Sequence, residues 1–90
     1  MSSNEMITAL KIGLGIVTEA YDTRLEQLLL DAAAQVRREG VDNLNTDNLD
    51  DATTVIMYAD WMWRKRDTME GMPRMLRWRL NNRIMARKAQ

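Results

Sequence analysis

The chain has 90 residues, no cysteine, no histidine, and thirteen basic and thirteen acidic side chains. A chain this short makes one small domain, and without cysteine it has no disulfide to stabilise that domain. The lack of histidine removes the commonest metal ligand and general base, so we expect no catalytic site, no metal and no cofactor. No apolar run approaches the roughly 20 residues that span a bilayer, and residues 1–6 lack signal-peptide character, so we expect a soluble protein made in a cytoplasm and no membrane partner.

Helical periodicity is the main structural feature of the sequence. Apolar residues recur at intervals of three and four, whereas no strand-like alternation and no internal repeat is visible. We therefore predict an all-α domain, a small bundle of about four helices with short connections. The predicted helices cover about residues 4–14, 23–39, 48–66 and 73–88 of a single domain spanning residues 1–90.

Capping residues set the limits of the first two helices. Ser2 and Glu5 form a capping-box pattern at the start of the first helix, and Asp22 is well placed to cap the second. Gly13 and Gly15 are predicted to end the first helix and Gly40 the second, since a residue with left-handed backbone commonly ends a helix. The third helix has competing caps at Thr46, Asp47 and Asn48, and Pro73 suits the first position of the fourth.

The third segment is predicted to be the central helix, because it offers a continuous apolar seam for its neighbours to cover. The predicted seam contains Leu49, Ala52, Val55, Ile56, Ala59, Met62 and Trp63. The first turn of this helix also carries Asp50 and Asp51, which interact favourably with its dipole. The predicted core extends to Leu28, Leu29, Leu76 and Leu80 on the neighbouring helices.

A second apolar cluster faces away from the seam of the third helix, and another faces away from the inward stripe of the fourth. A 90-residue chain has little material to bury both sides of a helix. Aromatic residues are also enriched where protein surfaces meet, although burial within their own subunit is the alternative. The predicted subunit interface consists of Met57, Tyr58, Trp61, Trp78 and Met85.

Charge is divided unevenly along the chain. Residues 1–60 carry four basic and eleven acidic side chains, whereas residues 61–90 carry nine basic and two acidic ones. The two parts therefore have net charges of −7 and +7. Such a polarised chain could pair with copies of itself, or offer its basic end to nucleic acid or to an acidic partner.

The sequence reads YADWMWRKRDT at residues 58–68, at the end of the third helix, and MPRMLRWRLNN at residues 72–82, in the fourth. These two stretches resemble the small head-to-tail connector (adaptor) proteins of long-tailed phages and prophages. Less specific matches occur earlier in the chain, at Leu10-Lys11, Leu14-Gly15-Ile16, Asp22, Leu25, Leu28 and Ala32.

The resemblance implies a non-enzymatic structural protein of the virion neck, made in the cytoplasm of a bacterial host. Such a protein oligomerises as a ring beneath the portal, extends the DNA channel, and receives the head-closure (stopper) protein. Its partners would be the portal, the stopper, further copies of itself and, transiently and without sequence preference, genomic DNA. The residues expected to contact the portal or the DNA channel are Arg64, Arg66, Arg74, Arg77, Arg79, Arg83, Arg87 and Lys88.

Other functions remain open at the level of sequence. The main alternative is a small DNA-binding packaging or regulatory protein that places its basic fourth helix on phosphates. A helix-turn-helix needs a tight turn between its helices, whereas a longer loop closed by Pro73 precedes the fourth helix here. A helical partner-binding module unrelated to phages is a third possibility.

Overall fold

The computed structural model describes the backbone of residues 1–68 and 71–88 and the side chains of residues 1–65 and 71–85. Within these ranges the chain forms four helices and no strand, which confirms the prediction of an all-α bundle. Each helix begins and ends within two residues of its predicted limit. The helices are α1 (Ser3–Leu14), α2 (Asp22–Arg38), α3 (Leu49–Thr68) and α4 (Arg74–Lys88). None of the described helices is both long and apolar enough to cross a bilayer.

The capping box at the start of α1 forms as predicted. The backbone N–H of Glu5 donates to Ser2 Oγ at 3.2 Å, and the backbone N–H of Ser2 donates to Glu5 Oε1 at 3.0 Å. These bonds satisfy two donors that a helix start would otherwise leave unpaired. At the other end Gly15 has a φ of +72°, and its N–H donates to the carbonyl of Ile12. The sequence therefore specifies both ends of α1.

The N-termini of α2 and α3 are capped differently. Asp22 is not the cap of α2, contrary to the prediction: Tyr21 occupies the cap position and makes no side-chain capping bond. The carboxylate of Asp22 instead accepts a hydrogen bond from Lys11 Nζ at 2.8 Å, because an ammonium group is a stronger donor to a carboxylate than a neutral amide. At α3, Asn48 is the cap, and its Oδ1 accepts from the backbone N–H of Asp50 at 2.8 Å.

The helix α3 is central, since it packs against each of the other three helices. Lys11 near the end of α1 contacts Asp22 at the start of α2, and Ser3 at the start of α1 lines one groove with Arg37 at the end of α2, so these two helices run antiparallel. Likewise Arg83 near the end of α4 contacts Asp51 near the start of α3, so α4 folds back along α3 as a helical hairpin. The α3–α4 hairpin contains both stretches that carry the family resemblance.

The core lies among the four helices and includes the turn after α2. Its buried apolar members are Met6, Leu10, Leu25, Leu29, Ala32, Ala33, Val36, Val41, Ala52, Val55, Tyr58, Ala59, Leu76 and Leu80. Six of the predicted core residues are thus buried on α2, α3 and α4, namely Leu29, Ala52, Val55, Ala59, Leu76 and Leu80. Four more are partly buried and pack against the core, namely Leu28, Ile56, Met62 and Trp63.

The buried face of α3 differs from the predicted seam. Leu49 is 65% exposed, so its assignment to the seam is wrong. The buried positions instead include Thr54 and Tyr58, which are one turn apart. Arg79 of α4 donates to Thr54 Oγ1, which shows that α4 covers this side of α3. A helix covered by three neighbours buries a wider face than one apolar stripe, so hydrophobicity alone does not define it.

Gly40 ends α2 in a tight turn against α4. Its φ is +121°, and the N–H groups of Gly40 and Val41 donate to the carbonyls of Arg37 and Val36. These bonds satisfy carbonyls that the helix end leaves open. A Cβ atom placed on Gly40 would lie 3.2 Å from Cγ1 of Ile84. Gly40 therefore provides both a left-handed backbone and room for α4.

Replacing Gly40 with alanine is expected to lower the free energy of unfolding by about 1 to 3 kcal/mol, because the new methyl group adds a steric contact to a strained backbone. Urea denaturation followed by circular dichroism measures the change. Gly15→Ala has the strained backbone but open space around its Cβ, and Gly71→Ala has neither a positive φ nor a contact within 4 Å. Equal losses for Gly40→Ala and Gly15→Ala would show that the Ile84 contact contributes nothing.

Candidate protein-interaction site

Arginines of α4 bind groups inside the domain. Arg77 Nη1 donates to Glu39 Oε2, at the end of α2, at 2.9 Å. Arg79 Nε donates to Thr54 Oγ1 at 3.3 Å, and Arg79 Nη2 donates to the backbone carbonyl of Asp50 at 3.2 Å. Both arginines therefore fasten α4 to the helices beside it.

The strongest of these attachments joins Arg83 to Asp51, whose side chain is almost fully buried. Arg83 Nε donates to Asp51 Oδ1 at 2.8 Å and Arg83 Nη2 donates to Asp51 Oδ2 at 3.2 Å, which makes a two-pronged ion pair. The backbone N–H of Asn45 also donates to Asp51 Oδ2, at 3.0 Å. Burial raises the pKa of Asp51, but these hydrogen bonds and the charge of Arg83 outweigh burial and hold the pKa below its ordinary value.

Three of the basic residues predicted to contact the portal or DNA make bonds within the domain, and an outside contact stays a prediction for each of them. Arg77, Arg79 and Arg83 each bind a partner within their own domain. The sequence contains an indication of this arrangement, because Arg79 and Arg83 each precede an inward residue, Leu80 and Ile84. Arginines that border an apolar stripe commonly lay their aliphatic stems along the neighbouring helix.

The other predicted basic contacts have different surroundings. Arg64 Nε donates to the carboxylate of Asp60, and Arg64 Nη2 donates to the backbone carbonyl of Gly13 at 3.1 Å, so this side chain ties α3 to the end of α1. Arg74 is exposed at the first position of α4. The side chains of three further predicted contacts lie outside the described residues: Arg66, Arg87 and Lys88.

The predicted interface residues of α3 are not all on the surface. Tyr58 is 5% exposed and packs edge-on against Trp61, with ring centroids 5.3 Å apart. Its assignment to an outward face is wrong, because α4 and the end of α2 cover it; burial and the nearby Glu39 carboxylate raise the pKa of its hydroxyl. Met57 and Trp61 are partly buried and pack against the core. Lys65 lies over Trp61, with Nζ 4.2 Å from the ring centroid.

The outer side of α4 carries the most exposed part of the predicted interface. Met75, Trp78 and Met85 are all exposed, and 59% of the Trp78 surface is accessible. Their spacing of three and seven residues places them along one face of the helix, and we call this row the outer stripe. Trp78 and Met85 agree in position with the prediction, whereas Met75 was missed although the same spacing identifies it. Clustered exposed apolar side chains mark surfaces that contact other proteins.

A cleft lies beside the outer stripe, between α4 and the first turns of α3. It has a cavity volume of about 360 Å³. The Asp50 side chain at its rim is 91% exposed, with one carboxylate oxygen 3.9 Å from Arg79 Nη2. The cleft is lined by Asp50, Asp51, Thr54, Trp78, Arg79, Asn82 and Arg83.

Among the side chains that the structure describes, no group of three or more histidine, cysteine or acidic residues is placed to hold a metal. No family model matches the chain, and neither the curated proteins nor the solved structures include a match. Function must therefore be inferred from the residues and their geometry.

Proposed function

We propose that the protein is a head-to-tail connector of the phage neck, which forms a ring under the portal and joins the head to the tail-completion proteins. The observation that carries this proposal is the outer stripe of α4, a row of exposed apolar side chains on a helix whose arginines Arg77 and Arg83 are paired within the domain. A surface of this kind suits contact with another protein. The resemblance of residues 58–68 and 72–82 supplies the family, and both stretches contribute to the hairpin that carries the stripe.

In the proposed mechanism the protein acts by binding other neck proteins through its surface, without an enzymatic step. The outer stripe provides apolar contact area, and the basic end of the hairpin, with Arg74 exposed, provides attraction to an acidic surface of a neighbouring protein, which can be another copy of the chain, the portal or the stopper. A neck protein must also let the genome pass. Weak attraction to DNA phosphates would steer the genome without holding it.

Deleting the gene from the phage or prophage that carries it is expected to yield DNA-filled heads and unattached tails, because heads without a connector cannot receive tails. Electron microscopy of the lysate and plaque counts give the outcome. Supplying Trp78→Ala in trans is expected to restore joining poorly, whereas Val17→Ala, which also removes an exposed apolar side chain but lies outside the stripe, is expected to restore it fully. Normal virions from the deletion strain would refute the proposal.

The alternative of a DNA-binding regulator is weakened by the arginine pairings, since a guanidinium committed to a carboxylate contributes less to phosphate contact. We expect binding to duplex DNA in bandshift titrations at physiological salt to be weak and independent of sequence. Saturable binding to one sequence, tighter than to random DNA, would favour the regulator over the connector.

A further inference from the structure

In the cleft beside Trp78 the groups of the floor are hydrogen-bonded within the domain, whereas two groups at the rim are largely exposed. Asp51, Thr54 and Arg83 are used in hydrogen bonds within the domain and form the floor. Two rim groups face solvent, namely the Asp50 carboxylate and the indole ring of Trp78. The rim therefore offers groups for an outside partner, whereas the floor mainly holds α4 in place.

The rim groups suit a cation. A carboxylate accepts charge-assisted hydrogen bonds from ammonium or guanidinium groups, and the face of a tryptophan ring attracts the same cations. Arg83 does not oppose this attraction, since Asp51 neutralises it at 2.8 Å. Arg79 lies at the outer limit of an ion pair with Asp50, at 3.9 Å, and leaves the carboxylate capacity for a further donor. An exposed basic side chain is therefore a suitable occupant.

The same molecule presents such groups at the opposite end of the hairpin. Lys65 is exposed near the end of α3, above the Trp61 ring, and Arg74 is exposed at the start of α4. At a rise of about 1.5 Å per residue, Lys65 lies about 22 Å along α3 from Asp50. Lys65 therefore cannot reach the cleft of its own molecule, but a second copy can present it there.

We propose that this cleft accepts the basic end of the hairpin, Lys65 and Arg74, from a second copy of the chain. The choice of a second copy as the occupant rests on the proposed function. The new element is the pair of surfaces that meet, namely the cleft of one copy and the basic end of the next. The contact is heterologous, so each molecule in a pair keeps one unused cleft or one unused basic end. Copies therefore add head to tail until the assembly closes.

Two complementary variants test the pairing. The cleft variant carries Asp50→Asn and Trp78→Ala, and the basic-end variant carries Lys65→Ala and Arg74→Ala. Sedimentation velocity at low salt is expected to show species larger than a dimer for the parent chain, and each variant alone is expected to associate at least about tenfold more weakly. A mixture of the two variants is expected to form one-to-one dimers and nothing larger, because only one intact cleft and one intact basic end remain.

Matched controls remove the same kinds of groups elsewhere. Asp31→Asn with Val17→Ala controls the cleft variant, and Arg38→Ala controls the basic-end variant; circular dichroism confirms folding of each. A parent chain that stays monomeric up to about 1 mM would overturn the inference, as would parent-like association of either variant or a mixture that stays monomeric. Self-association without attachment to portal-bearing heads would instead count against the connector function alone.

Discussion

Replacing Leu80 with alanine is expected to lower the free energy of unfolding by about 2 to 5 kcal/mol. Leu80 is fully buried in the described structure, at the middle of α4. Removing its side chain leaves a cavity that the surrounding helices can fill only in part. A domain of this size has only about 5 to 15 kcal/mol of total stability, so the loss should be evident in urea denaturation.

Met75→Ala is the matched control, because Met75 is exposed on the same helix and its truncation should change stability by less than about 0.5 kcal/mol. Ile56→Ala should fall between the two, since Ile56 is only partly buried. A loss below about 1 kcal/mol for Leu80→Ala would mean that α4 is not packed on the core as described.

Replacing Asp51 with asparagine is expected to destabilise the domain by about 2 kcal/mol, because Arg83 loses its charged partner in a largely buried place. The effect should depend on pH. The pKa of Asp51 is lower in the folded protein than its ordinary value of 3.8, so the ionised carboxylate stabilises the fold above that value. This contribution is lost as pH falls through the folded pKa, and the variant should therefore lose less stability than the parent on acidification below about pH 4.

Asp31→Asn provides the control, since Asp31 is an exposed carboxylate that accepts only from Gln27 among the described side-chain bonds. A double-mutant cycle with Arg83→Gln isolates the pair, and a coupling energy of about 1 kcal/mol or more is expected. Equal pH dependence of the parent and Asp51→Asn would contradict the assignment.

Local features of this fold could be predicted because each depends on a few neighbouring residues. Ser2 with Glu5 specifies the start of α1, and Gly40 specifies the end of α2. The pairing of Asp51 with Arg83 could not be predicted in the same way. It requires α4 to fold back along α3 in one alignment, and the sequence alone shows only an acidic residue in a first turn and a basic residue on a basic helix.

The candidate site was predictable only in part, for a related reason. Trp78 and Met85 face away from the inward stripe of α4, and one helix is enough to identify them. Whether Tyr58 is buried depends on which helix covers the far side of α3, and that helix is α4. The cleft depends on two helices together, so Asp50 could be identified as a helix-start carboxylate but not as part of a binding rim.

The attachment of α4 has a consequence for the alignment of the hairpin. The inward residues Leu76, Leu80 and Ile84 recur every four residues, and the arginines at Arg79 and Arg83 recur at the same interval. If α4 slipped by one helical turn along α3, each inward apolar residue would take the place of another apolar residue, and each arginine the place of another arginine. Neither the apolar residues nor these arginines therefore strongly disfavour the slipped alignment.

The contacts that oppose a slip come from the end of α2. Glu39 pairs with Arg77, and a slip by one turn would bring the uncharged Pro73 or Asn81 to this position and so break the pair. Gly40 has no side chain, which leaves space for Ile84 against its backbone. A misaligned hairpin is thus a state with which the native fold must compete, and discrimination against it depends on Glu39 and Gly40, which follow α2 and belong to neither arm of the hairpin. Substitutions there should produce two folded populations, visible as doubled amide resonances from α4, before they produce unfolding.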